Sequence, residues 1–134
     1  ERKILTSVLV YSYDELPERY KILVDAAKQA TARSYAPYSK FNVGAALLLA
    51  NGEVVTGTNQ ENAAYPSGLC AERVAALNMY VNSGQTVIKR MIAFRDAPPK
   101  ENGGMPCGAC REFLMQLSLK NKEMEIMIEK IHQI

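Results

Sequence analysis

The fold and chemistry of this chain are decided by the stretch Cys70-Ala71-Glu72-Arg73, which has a later counterpart in Pro106-Cys107-Gly108-Ala109-Cys110-Arg111. The two segments together contain all three cysteines of the 134 residues. Thiolates are strong zinc ligands, and two of them in Cys-x-x-Cys spacing can bind one ion. The third thiolate comes from a separate part of the chain, so a common zinc site would join two elements that are distant in the sequence.

A carboxylate stands two residues after the first cysteine. A structural zinc site has no need of such a group, whereas a catalytic site uses one to take a proton from zinc-bound water and pass it on. Three cysteines leave the fourth zinc position to water, because the only histidine, His132, is expected to lie at the surface. We therefore predict a catalytic zinc site with Glu72 as the catalytic residue. Its metal ligands would be Cys70, Cys107 and Cys110.

Two arginines follow the cysteine motifs. A zinc ion with three thiolates carries a net negative charge, which would raise the pKa of its bound water, so that charge must be drawn off. Arg73 and Arg111 can each donate fork-shaped hydrogen bonds to sulfur. Both motifs are also predicted to begin helices, whose N-termini favour a thiolate over a thiol. A redox pair or a structural zinc knuckle, the alternatives for Cys-x-x-Cys alone, would leave Glu72 and Arg73 unexplained.

Composition narrows the class of protein. Hydrophobic residues make up 48% and charged residues 22% of the chain, which is typical of one globular domain. The net charge of +2 argues against a nucleic-acid partner, and no apolar run is long enough to cross a membrane. The apolar segment at residues 4–10 lacks a signal-peptide cleavage site, and an odd number of cysteines disfavours a secreted disulfide framework. We expect a soluble, intracellular protein located in the cytoplasm.

The order of helix and strand patterns predicts a layered α/β fold. The predicted elements are an extended segment (4–11), a helix (16–34), two strands (41–49 and 53–58), a helix (70–83), a strand (87–94), a helix (107–120) and a strand (125–131). Asn51-Gly52 is a strong hairpin signal between the first two strands, and Gly44 marks a place where another backbone or a ligand approaches closely. Helix-linked strands would be parallel and the hairpin antiparallel. The central sheet would therefore be mixed, with helices covering both faces.

From Tyr35 to Leu117 the chain resembles the small homotetrameric cytidine deaminases of pyrimidine nucleoside salvage. The matching segments are Ala36-Pro37-Tyr38-Ser39-Lys40-Phe41, Val43-Gly44-Ala45-Ala46, Asn59-Gln60-Glu61-Asn62-Ala63 and the two cysteine motifs. The spacing Cys-x-Glu followed by Pro-Cys-x-x-Cys is the known signature of zinc deaminases, with Cys70 where other branches have His. The resemblance implies a three-layer α/β/α cytidine-deaminase-like fold, Zn²⁺ as the cofactor and a homotetramer. Residues 1–134 would form a single cytidine deaminase domain without the C-terminal strand and helix of the family.

The resemblance also implies substrate contacts. Phe41 would pack against the pyrimidine ring, and the backbone N–H of Ala71 would bind the pyrimidine carbonyl oxygen. Asn59 and Glu61 would bind the hydroxyl that ribose and deoxyribose share. Without the resemblance, Phe41 would be interpreted as a core residue and Asn59 as a turn residue.

Two further residues would link the site to the assembly. The resemblance implies that Ala63 and Tyr65 reach the site of a neighbouring subunit, as expected of a family that is active as a tetramer. The sequence alone would make Tyr65 a loop anchor. Glu112 differs from the family, which commonly has Gln at that position.

The reaction implied is the hydrolytic deamination of cytidine and deoxycytidine to uridine and deoxyuridine plus ammonia. Zinc-bound hydroxide would attack C4 while Glu72 protonates N3 and then the departing amine. The alternatives are a related zinc deaminase acting on a nucleotide, on a blasticidin-like compound or on polynucleotide cytosine, and a non-catalytic zinc-stabilised domain. Weak basic charge disfavours polynucleotide editing. No Gly-rich or Arg-clustered phosphate cradle is evident for a nucleotide.

Overall fold

The computed structural model describes residue 9 and residues 11–95 and 108–128. The helices are α1 (Glu18–Ala30), α2 (Ala71–Ser83) and α3 (Gly108–Leu117), and the strands are β1 (Val43–Leu49), β2 (Val54–Thr58), β3 (Ile88–Arg95) and β4 (Glu125–Ile128). Most of the predicted segment over 4–11, the first residue of the predicted helix over 107–120 and the last part of the predicted strand over 125–131 lie outside the described residues. The other predicted helices and strands are confirmed, with shifted ends.

The ends of α1 and α3 differ from the predicted ones because of local backbone conformation and hydrogen bonds just outside each helix. Pro17 has extended backbone angles and caps α1 instead of lying in its first turn, and the predicted end of this helix is a separate 3-10 turn, Thr31–Arg33. The helix predicted to reach residue 120 stops at Leu117. There Ser118 turns extended, and its side chain accepts a hydrogen bond from the N–H of Lys120, which starts a new 3-10 turn.

The four strands form one mixed sheet in the order β2-β1-β3-β4. Strand β1 pairs antiparallel with both β2 and β3, while β3 and β4 are parallel. Gly52 has φ of 92° and its N–H donates to the carbonyl of Leu49 at 3.0 Å, which closes the predicted Asn51-Gly52 hairpin. The predicted strand directions are therefore confirmed.

Helices cover both faces of the sheet, as predicted. On one face α1 buries Leu23 and Ala27 against Ala46 and Ile92. On the other face, residues of α2 and α3 pack with alternate residues of β1 and β3. This second cluster consists chiefly of Ala71, Ala75, Met79, Leu114, Leu47, Met91 and Ala93. The result is a three-layer α/β/α fold.

Gly44 confirms the predicted close approach. A Cβ atom added there would lie 2.1 Å from the carbonyl oxygen of Ala27, so α1 rests directly on the strand backbone. In the part of the chain that the structure describes, no helix combines the length and the apolar character needed to cross a bilayer.

Candidate active site

The first turns of α2 and α3 bring two cysteines together. Cys70 is the N-cap residue of α2, and Cys110 lies in the first turn of α3 and is fully buried. Their sulfur atoms and a carboxylate oxygen of Glu72 all lie within 4.8 Å of one another. Cys107 lies outside the described residues, so its place among the ligands stays a prediction.

The chemistry of this group fits a zinc ion. Neither Cys70 nor Cys110 forms a disulfide bond within the described residues, and soft thiolates are ligands that zinc prefers. Arg73 donates from Nη2 to Sγ of Cys70 at 3.8 Å, and this hydrogen bond is the main cause that raises the pKa of Arg73. The contact supports the predicted charge-withdrawing role of Arg73. Arg111 lies exposed on α3, and its predicted contact with sulfur stays a prediction.

The carboxyl group of Glu72 is buried, with 5% of the residue exposed. Burial holds the pKa of Glu72 above its ordinary value, and the nearby Cys70 acts in the same direction, while Arg95 and Arg73 oppose the shift. A raised pKa favours the protonated form of the carboxyl group, which is the form in which a general acid donates its proton. The environment of Glu72 therefore suits the role predicted for it.

An open cleft of about 1070 Å³ lies over this group. Its volume is slightly above the ~300–1000 Å³ usual for ligand sites. The lining contains the predicted substrate residues Phe41, Asn59, Glu61, Ala63 and Ala71, besides Cys70, Glu72 and Arg73. The fold thus gathers these residues around one space, although their contacts with a substrate stay predictions. Tyr65 begins a short 3-10 turn after Ala63, and its contact with a neighbouring subunit is likewise a prediction.

The amide of Asn59 holds the backbone that carries Phe41. Its Nδ2 donates to the carbonyl of Phe41 at 2.8 Å, and its Oδ1 accepts from the N–H of Val43 at 2.9 Å. The hydroxyl of Ser34 donates to the same Oδ1. This clamp explains why β1 begins at Val43 rather than at the predicted residue 41.

Glu61 holds the preceding turn. Its Oε1 accepts from the N–H groups of Tyr38 and Ser39, both at 3.1 Å. Desolvation would raise the pKa of Glu61, but the hydrogen bonds from Ser39 and Tyr38 and the charge of Lys40 hold it below its ordinary value. Glu61 is therefore an ionised hydrogen-bond acceptor at the cleft.

Arg95 is a residue of the cleft that sequence reasoning missed. It ends β3, lines the cleft and lowers the pKa of Glu72 through its charge. The signal in the sequence was a charged residue directly after the apolar run of residues 91–94. Only the sheet register, which pairs Arg95 with Val43, brings it to the site.

Comparisons with known proteins agree with this geometry. Residues 17–125 match the family model described as the cytidine and deoxycytidylate deaminase zinc-binding region. The cytidine deaminases of Halalkalibacterium halodurans and Mycobacterium tuberculosis are each 39% identical to the chain over 97 residues, which is 72% of this chain and 70% of theirs. The crystal structure of the Mycobacterium tuberculosis cytidine deaminase superposes with a TM-score of 0.70 at 34% identity, over 81% of this chain and 83% of that one. The Mycobacterium leprae enzyme gives 0.69 at 36%, over 81% and 86%.

Proposed function

This chain belongs to the cytidine and deoxycytidylate deaminase zinc-binding family, and we propose that it hydrolyses cytidine and deoxycytidine to uridine and deoxyuridine plus ammonia. The observation that carries the proposal is the group formed by Cys70, Glu72 and Cys110 beneath the cleft, within 4.8 Å of one another. A structural zinc site would not require a buried carboxyl group beside its thiolates.

Cys70 and Cys110 would hold the zinc ion, with Cys107 as the third ligand. When bound, zinc supplies the Lewis acidity that makes water a nucleophile at neutral pH. Glu72 would take a proton from the attacking water and deliver it to N3 of the cytosine ring; it would then take the remaining proton from the new hydroxyl at C4 and deliver it to the departing amine. Water adds to C4 and ammonia leaves, so the product is the corresponding uracil nucleoside. Arg73 donates a hydrogen bond to Cys70, and its positive charge would partly neutralise the thiolate.

Substrate binding follows from hydrogen-bonding capacity that the cleft residues retain. Asn59 Nδ2 carries two N–H groups and donates one to Phe41, which leaves one for a sugar hydroxyl. A carboxylate can accept about four hydrogen bonds, so Glu61 can hold its turn and a hydroxyl together. The N–H of Ala71 lies in the first turn of α2, where backbone donors lack partners within the helix. It would hold the pyrimidine carbonyl oxygen, with the ring against Phe41.

The wider setting is proposed from the family likeness alone. We propose a homotetramer in which Ala63 and Tyr65 reach a neighbouring site, a cytoplasmic location and a role in nucleoside salvage. Residues 1–134 would constitute one cytidine deaminase domain.

The decisive experiment follows the loss of cytidine absorbance with the zinc-loaded protein and its Glu72→Gln variant. We expect Glu72→Gln to lose about 100-fold or more in kcat, because that is the usual scale for removing a general acid and base. Zinc content should stay the same. Glu112→Gln is the matched control, since it makes the same chemical change in an exposed carboxylate of α3 and should retain the native rate.

Three results would contradict the proposal. An unchanged rate in Glu72→Gln would remove the assigned role of that residue. Faster conversion of cytidine monophosphate or blasticidin than of cytidine would move the chain to another deaminase class. Conversion of none of these compounds, with zinc bound, would favour the non-catalytic zinc-stabilised domain.

A further inference from the structure

Gly57 lies on β2 beneath the helix that carries half of the site. It pairs with Ala45 of β1 and is buried. A Cβ atom added at Gly57 would lie 2.2 Å from the backbone nitrogen of Ala75 and 2.6 Å from the carbonyl oxygen of Ala71. Both atoms belong to the backbone of α2, so no side-chain rotation could relieve the overlap. The bare backbone of Gly57 therefore sets how closely α2 lies on the sheet.

This contact lies at the N-terminal end of α2, which carries Cys70 and Glu72. Ala71, whose carbonyl oxygen would meet a side chain at position 57, stands between the N-cap residue Cys70 and the buried Glu72. The groups that face them come from other elements. Cys110 belongs to α3, and Asn59 follows β2. The spacing between α2 and the sheet therefore fixes the distance from Cys70 and Glu72 to their partners.

We propose that Gly57 is a positioning residue whose missing side chain lets α2 lie low enough for Cys70 and Glu72 to meet Cys110 beneath the cleft. Non-bonded atoms in contact lie ~3.5 Å apart, so any side chain at this position would lift the first turn of α2 by roughly 1 Å. Displacements of this size are enough to impair metal binding and catalysis. The proposal rests on the proposed function, since it concerns the same site.

The chain contains its own control in Gly44. This residue lies on β1 against the opposite layer, and a Cβ atom there would lie 2.1 Å from the carbonyl oxygen of Ala27 and 2.9 Å from the N atom of Thr31. Each of the two glycines therefore has a helix backbone too close for a Cβ atom. Helix α1, however, carries none of the residues assigned to the site. Gly44→Ala should disturb the fold as much as Gly57→Ala without moving Cys70 or Glu72.

The test compares Gly57→Ala with Gly44→Ala in the full chain. The readouts are Tm, the affinity for Zn²⁺ in competition with a chelator, the absorption spectrum of the Co²⁺-loaded protein, and kcat and KM for cytidine. We expect both variants to lose Tm. Only Gly57→Ala should change the Co²⁺ spectrum and lose about 10-fold to 100-fold in metal affinity and kcat, the range found when groups that orient metal ligands are altered.

If Gly57→Ala does not accumulate as folded protein, Ala75→Ser adds an atom to the buried residue of α2 whose backbone lies over Gly57, with Ala27→Ser as the equivalent change on α1. The spectral change must then appear in the first variant and not in the second. A native spectrum and kcat in Gly57→Ala, or equal losses in the α1 variant, would overturn the proposal. If the native chain binds Co²⁺ but does not convert cytidine, the proposed function fails, while the spectral comparison still decides the role of Gly57.

Discussion

A single amide, that of Asn59, joins the substrate side of the cleft to the start of the sheet. It contacts the carbonyl of Phe41, the N–H of Val43 and the hydroxyl of Ser34 at once. Asp has nearly the shape of Asn and keeps an acceptor oxygen, but it lacks the N–H donors of the amide. An Asn-to-Asp change therefore tests the donated hydrogen bond separately from the accepted ones.

Asn59→Asp retains the acceptor but can no longer donate to Phe41. We expect a lower Tm, because an unpaired backbone carbonyl costs about 1–3 kcal/mol where it is shielded from water. We also expect KM for cytidine to rise more than kcat falls, since the displaced Phe41 is assigned to substrate binding rather than to proton transfer. Steady-state kinetics and thermal melting measure both effects.

Asn51→Asp is the control for this change. Asn51 is exposed in the hairpin turn, and its Oδ1 accepts from the N–H of Glu53 at 3.0 Å, a role that Asp preserves. It should behave as the native protein. Native KM and Tm in Asn59→Asp would show that the amide does not hold Phe41 in place.

At the scale of elements, α2 is specified at both ends by local sequence. It begins after Cys70 and ends at Gly84, which has φ of 69° and donates its N–H to the carbonyl of Tyr80 at 2.9 Å. This is the left-handed C-terminal cap that glycine favours. The end of α2 that carries Cys70 and Glu72 is therefore separate from the end that Gly84 caps.

Gly84→Ala should therefore lower stability without affecting the site. A Cβ atom at Gly84 would meet nothing within 4 Å, so the cost is backbone strain of about 1 kcal/mol. Denaturant unfolding should show this loss, while kcat/KM and zinc content stay native. A fall in kcat/KM at unchanged stability would contradict the separation of the two ends.

The predictability of each element follows from the range of the interactions that specify it. Asn51-Gly52 and Gly84 act through their own backbone angles, so the hairpin and the end of α2 could be predicted from the sequence. The start of β1 depends on Asn59, which is distant in sequence, and was predicted too early. The cysteine and Glu72 pattern is compact enough to recognise, whereas Arg95 reaches the site only through strand pairing.

At the scale of the whole molecule, one buried cation ties three elements together. Arg90 of β3 donates from Nη2 to Oε1 of Glu125 on β4 at 2.9 Å, and its guanidinium carbon lies 3.8 Å from the ring centre of Tyr20 on α1. Tyr20 in turn donates its hydroxyl to Oε2 of Glu125 at 3.1 Å. The hydrogen bond from Arg90 is the main cause that holds the pKa of Glu125 below its ordinary value.

This cluster predicts a pH-dependent stability. Because the pKa of Glu125 is lower in the folded than in the unfolded chain, its contribution is present above the unfolded value of about 4.3 and is lost as the pH falls through the folded value. Glu125→Gln should therefore cost about 1 kcal/mol near pH 7, since the carboxylate is half exposed, and progressively less in acid. Melting curves of both proteins between about pH 3 and pH 7 test this. A difference that stays constant with pH would exclude the ionic contribution.

The N-terminal half of the chain supplies more of the residues that line the cleft than the C-terminal half does. Residues between Tyr38 and Arg73 supply most of its wall, whereas Arg95 comes from β3 and Ala109, next to Cys110, comes from α3. During synthesis from the N-terminus, the β1–β2 hairpin and α2 are complete before the second cysteine motif has been made, and neighbouring segments pair first. Cys70 is then a solitary thiol on a half-built enzyme, unable to share a metal ion with the later cysteines. Capture of zinc by the proposed ligands would therefore come late in synthesis, once the two parts of the chain that carry them have packed together.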